Sequence, residues 1–210
     1  MLRDVLIKNH PLPLDWSISS IGKNATVQTG PFGSQLHEED YVLEDGIPII
    51  TVEHMFGRYI RHKNLPLVSA DDTSRLSKYS LLTGDIVFSR VGSVDRAVMV
   101  SKNENGWLFS GRCLRVRPLV QSHATFFLWW FGQDLIKQLI VAAAVGATMP
   151  SINTTILSEI PVIMPPQDVF EKFDVLANRL LDLVFDNNSE IKALEETNEA
   201  MLVRLAKIDL

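Results

Sequence analysis

All 11 glycines and 10 prolines of this 210-residue chain lie before residue 167. From Gln167 onward the two residue types that break a helix are missing. Side chains recur there in steps of three and four: Phe173, Leu176, Leu180, Val184, Asn187, Ile191, Leu194, Asn198, Met201, Leu205 and Ile208. The successive steps of four from Leu176 to Val184 form a stutter, which locally unwinds a supercoil. The spacing predicts one helix over 167–208, about 60 Å long at about 1.5 Å per residue. One globular domain does not need that length internally, so a partner helix is expected along the seam. Asn187 and Asn198 are polar seam positions of the kind that lower stability and select one alignment. The alternative is a frayed, solvated tail.

Residues 146–167 mark the change of character: Gly-Ala-Thr-Met-Pro-Ser-Ile-Asn-Thr-Thr-Ile-Leu-Ser-Glu-Ile-Pro-Val-Ile-Met-Pro-Pro-Gln. Upstream are short β-type runs between glycine turns. Gly46 precedes a buried strand, Ile47 to Val52. Gly84-Asp85 precedes Ile86-Val87-Phe88-Ser89, and Gly92-Ser93 separates that run from Ala97 to Val100. Between Arg112 and Arg117, Leu114 and Val116 share one strand face while Arg115 and Arg117 share the other. Ser69 is placed to cap a short helix with Asp71 and Asp72 in its first turn. A buried helix is expected over 123–144, capped by Ser122 and ended by Gly146; its Trp and Phe side chains are read as core. The expected class is α+β: a mixed, β-rich globular unit over 1–160, then a helical region over 161–210 ending in a long coiled-coil helix.

The net charge of −5 argues against a polyanion partner until its distribution is read. Residues 51–120 hold 11 basic and 6 acidic residues, a net of +5, while the segments on either side are acidic. Basic charge gathered in one region can meet a polyanion locally; an ordinary solvated surface is the competing explanation. The longest strongly apolar run, Phe126 to Phe131, is far short of a membrane span of about 20 residues. Met1-Leu2-Arg3-Asp4 starts no apolar leader, and the single Cys113 has no internal disulfide partner, so a cytoplasmic location is expected.

No catalytic constellation is found. Gly30-Pro31-Phe32-Gly33-Ser34 lacks the lysine and spacing of a phosphate-binding loop, and no dinucleotide fingerprint is present. His10, His37, His54, His62 and His123 lack metal-ligand spacing, and Cys113 reads as a buried or idle thiol. No cofactor or metal is expected. DNA contact needs cations, hydroxyls and amides on a shaped surface. The candidates are Ser34 and Gln35 at the first glycine turn, Arg58, Arg61, His62 and Lys63 after Gly57, Arg90, Ser93 and Arg96 on the next turn, and Arg112. Arg112, Arg115 and Arg117 are expected to be partly structural, since strand faces often carry solvated arginines. Thr148, Ser151 and Asn153 are as suited to capping local backbone groups as to touching DNA.

The order of these pieces resembles the DNA specificity subunit of type I restriction–modification enzymes: Gly-Pro-Phe-Gly-Ser, Gly-Ile-Pro-Ile-Ile, Gly-Asp-Ile-Val-Phe-Ser-Arg-Val-Gly-Ser-Val, Gly-Ala-Thr-Met-Pro-Ser-Ile-Asn, Ile-Pro-Val-Ile-Met-Pro-Pro-Gln, then a long helix. Two details depart from the family pattern. Asp95 stands where a glycine is common, and Pro165-Pro166-Gln167-Asp168 lacks the usual Glu-Gln pair. The resemblance implies one target-recognition domain and one conserved helical region, half the usual complement. It further implies a non-catalytic subunit that binds double-stranded DNA, docks methyltransferase subunits and through them reaches the restriction subunit. With one reader and one strut, a homodimer through antiparallel C-terminal helices is expected, reading an interrupted palindrome. The rival reading is a coiled-coil adaptor whose globular head binds protein.

Overall fold

The run Ile86-Val87-Phe88-Ser89 is buried at every position because it is the inner strand of a sheet covered on both faces. The computed structural model describes residues 12–31 and 33–206. Phe32, His10, Ile208 and the N-terminal Met1-Leu2-Arg3-Asp4 lie outside the described residues. The central sheet is antiparallel in the order β2 (Ala25–Thr29), β11 (Cys113–Pro118), β8 (Ile86–Ser89), β9 (Ala97–Met99). On one face Phe88, Leu114 and Val116 pack against helices; on the other Val87, Val98 and Cys113 pack against a second sheet. That second sheet is mixed: β10 (Leu108–Phe109), β4 (Ile47–Ile50), β7 (Leu67–Val68), β3 (Tyr41–Val42), with only β10–β4 parallel. Ile47 at the start of β4 is exposed, so the burial expected of this strand falls on Ile49 and Ile50. A hairpin, β5 (Met55–Phe56) and β6 (Tyr59–Ile60), completes this side.

The helical layer holds the short α1 (Ile21–Asn24), α3 (Ala124–Phe131), α4 (Asp134–Ala143), α5 (Thr154–Glu159) and the 40-residue α6 (Gln167–Ala206). Away from it, α2 (Ala70–Arg75) is capped as expected, Ser69 Oγ accepting from the Asp72 amide at 3.1 Å. The expected single helix over 123–144 is two helices. A 3₁₀ turn at Gln121–His123 precedes α3, no Ser122 cap forms, and the chain breaks at Gly132-Gln133. The Arg58 guanidinium crosses Gly132 so closely that a Cβ there would lie 2.6 Å from Nη2. The core reading of the aromatic stripe holds, since Phe127, Leu128 and Phe131 are buried. Gly146 does not cap α4, which ends at Ala143; it shapes the following loop at φ +111°.

The junction is built into the globular unit. Ile152 N donates to Arg90 O at 2.9 Å, and Asn153 Oδ1 caps α5 by accepting from Ile156 N at 2.8 Å. Residues 161–164, grouped by sequence with the helical region, form β12 (Pro161–Met164), paired antiparallel with β1 (Ser17–Ser20). After Pro165-Pro166, α6 starts with the Val169 and Phe170 amides on Pro166 O. Its first half lies on the domain. Phe170, Ala177 and Leu181 are buried, and Phe173, Val184 and Phe185 are half-buried. Phe170 stacks on His123 at 4.0 Å, and Thr125 Oγ1 donates to Asn178 Oδ1 at 2.6 Å. Phe173 and Val184, read from sequence as the start of a seam for a partner, thus lean on their own chain. Leu176, Leu180, Asn187, Ile191, Leu194, Asn198, Met201 and Leu205 are exposed.

Candidate nucleic-acid interface

The ten candidate residues fall into three places. The first is a groove of about 820 Å³ between the glycine turn and the ends of the two sheets. Gly30 makes it possible: its amide donates to Cys113 O at 3.2 Å, and a Cβ would stand 2.2 Å from Ser110 O. Only glycine lets the turn approach strand β11 that closely. Arg90 and Arg112 line the opposite wall, tied by Arg90 N donating to Arg112 O at 2.8 Å. Arg90 Nη1 also donates to Gly111 O at 3.2 Å. The Arg112 side chain is exposed and forms no hydrogen bond or ion pair among the described residues. Ser34 and Gln35 lie in the adjoining 3₁₀ turn, Gly33–Gln35. Tyr79 Oη donates to Gln35 Oε1 at 2.7 Å and Arg75 Nη2 to Gln35 O at 2.9 Å, so Gln35 is held from behind.

Sequence reasoning missed His37, Thr51 and Asn64 in this groove. Asn64 has φ +53°, a left-handed turn residue, and its place in Asn-Leu-Pro was the available signal. His54, below, is buried, its Nδ1 accepting from the Thr51 amide at 3.3 Å. Burial holds its pKa below the ordinary value, so the floor adds no positive charge at neutral pH. Glu38 and Glu53 also line the groove, giving it acceptors beside the arginine donors.

The second place is a groove of about 450 Å³ holding Arg58, Asp95, Arg96 and Lys137. Arg58 is half-buried, its guanidinium 4.0 Å above the Trp129 ring and donating to Leu128 O at 3.2 Å. Burial lowers its pKa, but arginine remains a cation. Arg96 and Ser93 are exposed on the turn above, and Arg96 has no side-chain partner among the described residues. Asp95, where glycine is common, has no positive φ, so no glycine is needed there.

The third place holds the densest basic cluster, and its charges are already paired. Arg61 Nη2 meets Glu195 at 2.5 Å, His62 Nε2 meets Glu104 at 2.5 Å, and Lys63 Nζ meets Glu199 at 2.9 Å. The hydrogen bond to Glu199 raises the Lys63 pKa. Of the three arginines expected to be partly structural, Arg115 and Arg117 make internal contacts and the Arg112 side chain makes none among the described residues. Arg117 grips the buried Asp85 with two 2.7 Å contacts, and Arg115 donates to Ser80 O at 3.1 Å and to Gln28. Cys113 is a buried thiol whose pKa burial pushes up to about 12, which removes it as a nucleophile. Among the described residues no three His, Cys, Asp or Glu side chains converge as metal ligands, and no helix is long and apolar enough to cross a membrane.

No protein-family model matches the chain. Two curated proteins of Methanocaldococcus jannaschii are similar to it. The type I restriction enzyme MjaIX specificity subunit is 22% identical over 199 residues, covering 92% of this chain and 44% of that protein. The putative type I restriction enzyme MjaX specificity subunit is 23% identical over 201 residues, covering 92% and 46%. The chain thus spans less than half the length of either relative. Among solved structures, the HsdS subunit from Thermoanaerobacter tengcongensis matches with a TM-score of 0.56 at 13% identity, over 90% of this chain and 45% of that one. A chain from a structure on complex assembly and conformational transition of the type I R-M system matches at 0.58 and 15% identity, over 97% and 48%. The fold is that of about half a type I specificity subunit, a mixed β head followed by a long helix.

Proposed function

We propose that this chain is a non-catalytic DNA-recognition subunit of a type I restriction–modification system and reads half of a bipartite target. One observation carries the reading: the likeness runs along 92% of the chain and ends at less than half of each relative, so one head and one strut are present. The groove between the glycine turn and Arg112 supports it. Its arginine, hydroxyl and amide groups are the types that contact phosphates and base edges. Within the candidate set, Arg90 and Arg112 are assigned to this groove, Ser34 and Gln35 to the turn beside it, and Ser93 and Arg96 to a neighbouring backbone contact.

The exposed stripe of α6, with Leu176 65%, Leu194 61% and Met201 60% accessible, supports pairing with a second helix. In a homodimer the two helices run antiparallel and the heads read an interrupted palindrome. A strut of about 60 Å limits the separation of half-sites to roughly 18 base pairs at about 3.4 Å each. Methyltransferase subunits dock on the same assembly and bring the restriction subunit with them; a cytoplasmic location follows from these partners. The test is selection from random duplexes at moderate salt, with and without methyltransferase subunits. Enrichment of a split motif is expected. No enrichment under either condition sinks the DNA reading and favours a protein-binding adaptor. A chain that stays monomeric at tens of micromolar in analytical ultracentrifugation excludes the homodimer.

A further inference from the structure

Beyond Asn188 the strut leaves the apolar core. Every position from 189 to 205 is exposed except Glu195, which is half-buried. That exception is where the head reaches out a second time. Asn188 Nδ2 donates to Ile60 O at 3.4 Å, Arg61 meets Glu195 and Lys63 meets Glu199. Arg61 and Lys63 reach carboxylates of the helix, while His62, lining the same cleft, reaches Glu104 of the head. His62 is held by Glu104 and lies against Trp107, ring centroids 4.8 Å apart. On the helix, Glu195 and Glu199 are four apart and so stand on one face. The Arg61 guanidinium also lies 5.3 Å from the centre of the Phe56 ring, which narrows its rotamers.

We propose that residues 60–63 form an electrostatic clamp, with Arg61 and Lys63 as positioning residues that set the angle of α6 to the head. The apolar contact from Phe170 to Phe185 anchors the base of the helix but leaves its outer half a lever. Swinging that outer half, about 30 Å long, by about 10 degrees moves its tip by about 5 Å, the rise of one to two base pairs at about 3.4 Å each. Two ion pairs beyond the anchor remove that freedom, although each exposed pair alone is weak and screened by salt. The consequence for half-site spacing rests on the DNA reading above; the clamp itself does not.

The test is a spin–spin distance measurement on the full chain, with labels at Glu44→Cys on the head and Ala200→Cys on the helix. Native Cys113 is buried and stays unlabelled. Dilution with unlabelled chain isolates the intramolecular distance. A single narrow distribution is expected at low salt. Arg61→Glu with Lys63→Glu should at least double its width. Adding Glu195→Arg and Glu199→Lys should restore it, which an effect on folding would not do. The milder Arg61→Gln with Lys63→Gln gives the same broadening if charge reversal unfolds the chain. An unchanged distribution in the reversed pair, or no recovery in the fourfold variant, overturns the clamp. These measurements contain no DNA, so their failure leaves the recognition reading standing. Conversely, a failed duplex selection leaves the clamp standing.

Discussion

The two halves of α6 carry similar apolar content and meet opposite fates. From Gln167 to Asn188 the helix buries Phe170, Ala177 and Leu181 on its own domain, leaving Leu176 and Leu180 on the far side. From Ser189 onward Ile191, Leu194, Met201, Leu205 and their neighbours face outward, and the head is met by carboxylates. The comparison teaches that one helix can hold two apolar stripes, one buried on its own domain and one left exposed, which the proposed dimer would cover. Burial of the first contributes to stability at any concentration. Burial of the second requires a second chain, so its contribution depends on concentration.

The largest effect that could break this contrast comes from the first stripe. Phe170→Ala should cost about 3–5 kcal/mol and Leu181→Ala about 2–5 kcal/mol in urea unfolding, since each leaves a cavity under the helix. In dilute solution Leu194→Ala should stay within about 0.5 kcal/mol of the parent; a cost matching that of Leu181→Ala would erase the distinction. Next, Leu194→Ala with Leu205→Ala should weaken self-association about tenfold or more, equivalent to about 1.4 kcal/mol, with monomer stability nearly unchanged. Sedimentation across a concentration series reads this, and an unmoved association constant would remove the stripe from the interface.

A smaller effect separates the arginines of the head. Arg112→Ala should reduce the salt slope of duplex binding by about 1, while Lys63→Ala, whose charge already meets Glu199, should change it less. Equal slopes in the two variants would undo the partition of the basic cluster. The smallest expected effect is on pH. His123, stacked on Phe170 at the base of the helix, is held below its ordinary pKa of 6.5 by burial. The unfolded chain therefore binds more protons, so stability is fully present above about pH 6.5 and falls as the pH drops below it. His54 acts with the same sign. His123→Phe should flatten the fall of Tm between pH 7 and pH 5; an identical slope would leave the dependence to His54 and the carboxylates.

Much of the head was legible. Strands β8, β9 and β11 stand where their runs and turns predicted, because alternating or doubly buried patterns fix a strand locally. Strand β4 stops at Ile50, and Val52 starts a 3₁₀ turn instead of ending the strand. The Ser69 cap and the opposite faces of Leu114/Val116 and Arg115/Arg117 were equally local. The break between α3 and α4 was not: Gly132 keeps helical angles and the backbone turns extended at Gln133, inside a run with a continuous helical period. Of the candidate site, the residue types were readable but their availability was not. Arg58, Arg61, Lys63 and Arg112 look alike in sequence; only the structure places Trp129 beneath the first, carboxylates on the next two, and solvent around the last.

The amino-acid sequence alone determined that a glycine- and proline-punctuated β head gives way to an unbroken helix. Backbone propensity and side-chain period act over a few residues, and a few residues suffice to read them. Only the tertiary structure decided which stripe of that helix belongs to the head, and that Glu195 and Glu199 answer Arg61 and Lys63. These are pairings between residues more than a hundred positions apart. No local pattern specifies such partners, because the choice is made by the packing of the whole chain.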